Sequence, residues 1–152
     1  MMNKRFSYEC IASPSGNVVV CDENGRKVEL NCSGEKFNKV KIDGCVEPSN
    51  GKNLRCDFII IKEGEDIEIY VELKGQDIKK AARQIEETLK AYGSSSAAKY
   101  AAIATSKIPP PKKNTSLDSA IMILHRLMPN RYFIKNGYIR LLYNHNKISK
   151  IN

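Results

Sequence analysis

CDFIIIKEGEDIEIYVELKG, residues 56–75, is the stretch on which the reading of the fold turns. Phe58 to Ile61 is an unbroken run of large apolar residues, mostly β-branched. Asp66 to Lys74 alternates strictly, with Ile67, Ile69, Val71 and Leu73 on one face and Glu68, Tyr70, Glu72 and Lys74 on the other. Both patterns are those of strands. Lys62-Glu63-Gly64-Glu65-Asp66 lies between them, and a two-residue turn with Gly64 first, the type II′ preference, sets Asp57 directly opposite Glu72. Opposed residues of an antiparallel pair share a face with Cβ atoms about 5 Å apart, and Lys74 follows on that face roughly 7 Å along. Two acids and a lysine therefore converge. A register slip of one residue would throw Asp57 to the other face.

Like charges directly opposite on a sheet are destabilising unless something positive stands between them. Mg²⁺ suits that place, because it takes hard oxygen ligands and is held by one or two carboxylates together with waters and substrate phosphate. Lys74 could then position a metal-bound water for attack on a phosphodiester and offset the charge that develops. The plain alternative is a solvated strand face, with Glu72 and Lys74 as a surface ion pair worth under ~1 kcal/mol.

Asp57, a hairpin, Glu72-Leu73-Lys74 and a following amphipathic helix resemble the PD-(D/E)XK superfamily of restriction-endonuclease-like nucleases and Holliday-junction resolvases. The likeness spans roughly residues 55 to 105. It implies the αβββαβ core of that fold, Mg²⁺ held by Asp57, Glu72 and the backbone carbonyl of Leu73, with Mn²⁺ as a substitute, and Lys74 as the catalytic lysine. It also gives Gln84 a supporting catalytic position. One departure is plain: Cys56 stands where the family often has proline.

The helix after the motif reads without the family. Asp77 is placed as N-cap, Ile78, Ala81, Ala82, Ile85 and Leu89 follow helical spacing, and Gly93 sits where a left-handed stop is wanted, giving a helix over about 77–92. Gln84 lies at the edge of its apolar stripe.

A chain of 152 residues is expected to form one domain with a single core. Cys10, Cys21, Cys32, Cys45 and Cys56 are odd in number and form no C-x-x-C pair, so neither a zinc site nor a closed disulfide framework is expected. They read as reduced cysteines of a cytoplasmic protein. No apolar h-region and no long apolar run suggest secretion or membrane spanning.

Charge is segregated. Asp118 is the single acid after residue 100, against nine Lys and Arg, so the formal excess of +8 comes from the last third of the chain. Lys107, Lys112, Lys113, Arg126, Arg131 and Arg140, interleaved with Tyr132, Tyr138 and Tyr143, suit contacts to a phosphate backbone, the alternative being a basic tail that serves solubility.

Before the motif, strand-like runs at Phe6–Ala12, Asn17–Cys21, Val28–Cys32 and Phe37–Ile42 suggest an antiparallel meander over 1–54. Asp43 and Glu47 are candidates for a further acid, with Asp43-Gly44 reading first as a turn. After the helix, Lys99–Thr105 reads as a buried strand parallel to the motif strand. Leu117–Met128 reads as a second helix carrying His125 as a structural histidine, and Arg131–Ile134 with Tyr138–Tyr143 as a closing hairpin around Asn136-Gly137. His145 falls in a tail-like segment.

The expected protein is a single α/β domain, 1–152, with a restriction-endonuclease-like core over 55–105: a central mixed sheet flanked by helices. Its expected activity is Mg²⁺-dependent endonuclease cleavage of nucleic acid, DNA first, acting as a homodimer or with a larger protein partner. The rivals are a catalytically inactive nucleic-acid-binding module of the same fold and an interaction subunit whose basic end meets an acidic protein.

Overall fold

The computed structural model describes residues 5–49, 51–73, 77–106 and 115–151. Among these it has ten strands, two α-helices and a 3-10 turn at Tyr8–Cys10 that interrupts the strand expected over Phe6–Ala12. Phe58–Lys62 (β5) and Ile67–Glu72 (β6) form the expected antiparallel pair, with Phe58 opposite Val71 and Ile61 opposite Glu68. The turn differs from the expectation. Gly64 and Glu65 both have positive φ, 98° and 60°, and Glu65 N donates to Lys62 O, so the II′ pattern, which needs positive φ at its first position alone, is not formed. The expected register is nevertheless found, with Phe58 opposite Val71.

A six-stranded sheet is built around this hairpin in the order β1-β4-β5-β6-β7-β8, where β1 is Ile11–Ala12, β4 Phe37–Lys41, β7 Ala98–Thr105 and β8 Tyr132–Asn136. β4, β5 and β6 are antiparallel, and β7 and β8 run parallel to β6 and to each other. Helices α1 (Ile78–Tyr92) and α2 (Thr115–Leu127) cover one face of this sheet, with Ile78, Ala82, Ile85, Ala120 and Leu124 packed on Ile59, Ile61, Tyr70 and Ile103.

Among the described residues the other face carries no α-helix. A second sheet of four strands, ordered β10-β9-β3-β2, lies there: β2 is Val18–Glu23, β3 Arg26–Asn31, β9 Tyr138–Asn144 and β10 Lys147–Ile151. Val19, Cys21, Val28, Leu30, Ile139 and Leu141 pack on Ile60, Ile69, Val71 and Ala102. The six-stranded sheet is thus buried on both faces, which is why Phe58–Ile61 and Tyr100–Ala104 read as continuous apolar runs. It also means that the charged face of β6 is not solvated: Glu68, Tyr70 and Glu72 are fully buried beneath α1.

Two expected units are corrected. The N-terminal meander divides, β2 and β3 going to the second sheet while β1 and β4 join the first. The closing hairpin also divides: at Gly137, φ 76°, the chain leaves β8 in the first sheet and enters β9 in the second, where β9 pairs with β3 and β10. His145 belongs to the β9–β10 turn and has positive φ, 49°.

Cys10 and Cys45 form a disulfide, contrary to the expectation of five reduced thiols. Antiparallel pairing of β1 with β4 sets Ile11 opposite Val40, and the turn at Ile42–Cys45 folds Cys45 back until the two Cα atoms are 5.7 Å apart. Cys21, Cys32 and Cys56 are free and buried. The inference of a cytoplasmic location loses its support from cysteine usage. No described helix is long and apolar enough to cross a membrane.

Candidate active site

Glu72 ends β6, and Asp57 immediately precedes β5; both side chains are buried. The ladder is irregular here. Phe58 stands opposite Val71, yet Asp57 N also donates to Val71 O at 3.1 Å, so two residues of one strand share one partner, the pattern of a β-bulge. The bulge replaces the direct opposition of Asp57 and Glu72 that regular pairing would give. The acids remain neighbours by another route: Asp57 Oδ2 accepts from Leu73 N at 2.8 Å, which seats the carboxylate on the peptide bond that follows Glu72.

Helix α1 holds this strand end in place. Cys56 N donates to Thr88 Oγ1 at 2.8 Å, Thr88 Oγ1 donates to Gln84 O, and Gln84 Nε2 donates to Arg55 O at 3.0 Å. Asp77 caps the helix, accepting from Lys80 N at 3.0 Å as its sequence position predicts. Burial first, then the charge of Glu72, pushes the Cys56 thiol well above its ordinary pKa, and Asp57 adds to this. Cys21, in the layer between the sheets, is pushed up to about 12 by burial, with Asp57 contributing. The charge of Asp57 is therefore felt in both core layers.

A cleft of about 570 Å³ opens over this end, lined by Asp43, Arg55, Glu72, Asp77, Lys80 and Gln84 among others. Gln84, assigned to the site from the sequence, lies in it. Asp43 lies there too, on a turn closed by Gly44 N donating to Glu47 O at 2.8 Å. The other upstream candidate is engaged elsewhere: Glu47 accepts from Tyr92 Oη and from Arg55 Nε at 3.0 Å, and these bonds hold its carboxyl below the usual range. A cavity of about 640 Å³ between Ser13–Asn17 and Gly34–Asn38 is larger, but its acids, Glu35 and Glu63, are exposed, so size does not select the site.

Arg26 was not anticipated. From the β2–β3 hairpin its Nε donates to the carbonyl of Leu73, the backbone oxygen that the resemblance assigns to a metal. Nothing local in the sequence marks it, because its place depends on the packing of the second sheet. Among the described residues no group of three or more His, Cys, Asp or Glu side chains is gathered for a metal; the site offers the Asp57 and Glu72 pair.

Lys74, Lys107, Lys112 and Lys113 lie outside the described residues. The remaining cations of the expected basic surface are dispersed. Arg126 on α2 pairs with Glu86 at 2.8 Å, Arg131 stands over the Tyr100 ring, and Arg140 on β9 in the second sheet reaches Glu29 at 3.8 Å. α2 and β9 lie on opposite sides of the six-stranded sheet, so these arginines do not form one face. His125 is exposed and edge-on to Tyr132, apart from the acids.

Compared with family models, with curated proteins and with solved structures, the chain matches none.

Proposed function

We propose that this chain is a metal-dependent endonuclease that hydrolyses nucleic-acid phosphodiester bonds, DNA in the first place. The observation that carries the reading is the seating of the Asp57 carboxylate on the Glu72–Leu73 peptide, which gathers two buried acids at one strand end, where Glu72 lines an open cleft. The order β4-β5-β6 antiparallel, then α1, then β7 parallel to β6, corresponds to the βββαβ part of the core that the resemblance implies, while among the described residues no α-helix precedes β4. Two carboxylates are a donor set that fits Mg²⁺, which takes one or two from protein and fills the rest with water and phosphate oxygens. Bound there, the ion would supply Lewis acidity toward the phosphate and a more acidic water.

The chain's own contributions are positional. Asp57 and Glu72 supply oxygen ligands, Gln84 and Thr88 hold the backbone that carries Asp57, and Lys74 has the role of orienting water. The test is a nuclease assay on supercoiled, linear and branched DNA and on RNA with Mg²⁺, Mn²⁺ or EDTA. Cleavage should require the metal and be lost in Glu72→Gln and Lys74→Ala; equal rates in those variants would sink the assignment.

One observation favours the second reading, a module of this fold that binds nucleic acid without cutting it. The Arg26 guanidinium occupies the Leu73 carbonyl and adds a positive charge where a cation would be held. Absence of cleavage with every metal, with nucleic-acid binding retained, would decide for that reading.

A further inference from the structure

Among the described residues, the cations that line the cleft with Glu72 come from α1 and from the loop before β5, and none from the C-terminal third lines it. Lys80 and Arg55 line the cleft beside Glu72. Lys79, Lys80 and Arg83 line a shallow depression that continues from it, sharing Leu54 and Asp77 with the cleft. Lys52, Arg55, Arg83 and Lys90 line the next one, sharing Leu54 and Arg83. The three run together as one trough along α1. From Ile78 to Lys90 that helix advances about 18 Å, close to five phosphate spacings along one strand of duplex DNA.

The charge along this trough is unevenly neutralised. At its far end Glu86 pairs with Arg126 at 2.8 Å, and Glu87 pairs with Lys90 at 3.4 Å. Arg55 is paired with Glu47 at 3.0 Å. Lys52, Lys79, Lys80 and Arg83 are exposed and make no ion pair among the described residues. Of these four, Lys80 lines the cleft beside Glu72, Lys79 and Arg83 line the depression next to it, and Lys52 lines the one beyond.

We infer that this trough is the track along which a nucleic-acid phosphodiester backbone enters, with Lys52, Lys79, Lys80 and Arg83 contacting successive phosphates. A polyanion brought to two buried carboxylates is repelled by them, and cations at the rim offset that repulsion while steering the strand. An acidic peptide would meet the same cations but has no reason to approach Asp57 and Glu72. The inference rests on the nucleic-acid reading of the site but not on catalysis.

The test is fluorescence anisotropy with a labelled DNA duplex, the matching single strand and its RNA counterpart, in EDTA and over a range of salt. Lys79→Ala/Lys80→Ala/Arg83→Ala is compared with a control, Arg131→Ala/Lys135→Ala/Lys147→Ala, with circular dichroism reporting the fold of both. On duplex DNA the first variant should show a log–log salt slope shallower by about 2.7, from three lost contacts at about 0.9 each, and the control a smaller change. A matching loss on single-stranded probes alone assigns the track to single strands. A slope unchanged on every probe in a folded first variant overturns the track, as does wild-type binding of polyglutamate with no binding of any nucleic acid. Cleavage is scored separately. If the wild type cuts and the slope does not move, the endonuclease stands and the track falls; if the slope moves and nothing is cut, the track stands without the endonuclease.

Discussion

Breaking the Cys10–Cys45 bond perturbs the candidate site's surroundings without touching its acids. The bond closes a loop with a sequence separation of 35 residues. Loop-closure entropy for that length corresponds to about 3.8 kcal/mol at 25 °C, by the chain-entropy model and without native-state strain. For a chain of 152 residues, a loss of that size lowers the melting temperature by about 8–15 °C. The assay has two arms. Thiol titration of air-purified, denatured protein should find three reactive cysteines, Cys21, Cys32 and Cys56, and all five after reduction. Urea denaturation with and without reductant should show a lower midpoint when reduced, and Cys45→Ser should match the reduced wild type whether or not reductant is present. Five thiols in the unreduced protein, or midpoints that coincide, would refute the reasoning. Because Cys45 lies two residues after Asp43, which lines the cleft, the reduced protein should also lose affinity for nucleic acid before it loses its helical circular dichroism signal.

Three further outcomes are expected. Gly93→Ala should destabilise the fold by about 1–3 kcal/mol in urea titration, since a Cβ there would lie 2.6 Å from Leu89 O and 3.0 Å from Tyr70 Oη; a neutral result would mean that the end of α1 shifts freely. Glu47 has its folded pKa lowered, chiefly by the Tyr92 hydrogen bond, so its contribution is complete above the ordinary glutamate pKa of about 4.3 and is lost as pH falls through the lower folded value. The gap in melting temperature between wild type and Glu47→Gln should accordingly be constant at neutral pH and narrow in acid, and a gap independent of pH would count against the link. Arg26→Ala should lower the Mg²⁺ concentration needed for half-maximal thermal stabilisation, by removing a positive charge from the Leu73 carbonyl; unchanged or weaker stabilisation would show that Arg26 does not compete with the ion.

The parts of the fold that could be read from the sequence are those whose signals are local. β5, β6, α1 and β7 have apolar periods and an N-cap that state their type. Gly93 was well placed for the wrong reason. Its φ is −67°, so the end of α1 uses no left-handed residue, and the glycine is needed because Leu89 O and Tyr70 Oη come too close for a side chain. The second sheet was not legible. Tyr138–Asn144 carries the alternation of a strand in either architecture, and nothing near Asn136-Gly137 distinguishes a hairpin from a passage between sheets. Glu68 was hidden for a related reason: its fully buried carboxylate is matched by Arg5 at 2.8 Å and Lys99 at 3.3 Å, cations far from it in sequence. Alternation with Ile67 and Ile69 therefore looked like a wet face.

The same long-range packing shapes the candidate site. The Leu73 amide is taken by Asp57 from the neighbouring strand, and the Leu73 carbonyl by Arg26 from the other sheet, so both polar groups of the residue after Glu72 are held by side chains remote in sequence. A strand end with two buried acids would otherwise be an expensive place to stop a ladder, because charge and unpaired backbone would be left together in a low-dielectric layer. Asp57 lessens both costs at once: as a bulged residue it gives up the position directly facing Glu72, and its carboxylate supplies the acceptor that the Leu73 N–H requires. Arg26 then completes the backbone by taking the Leu73 carbonyl. The motif supplies the acids of the candidate site, but the Leu73 carbonyl beside them is held by a hairpin thirty or more residues upstream, brought there by the packing of one sheet on the other.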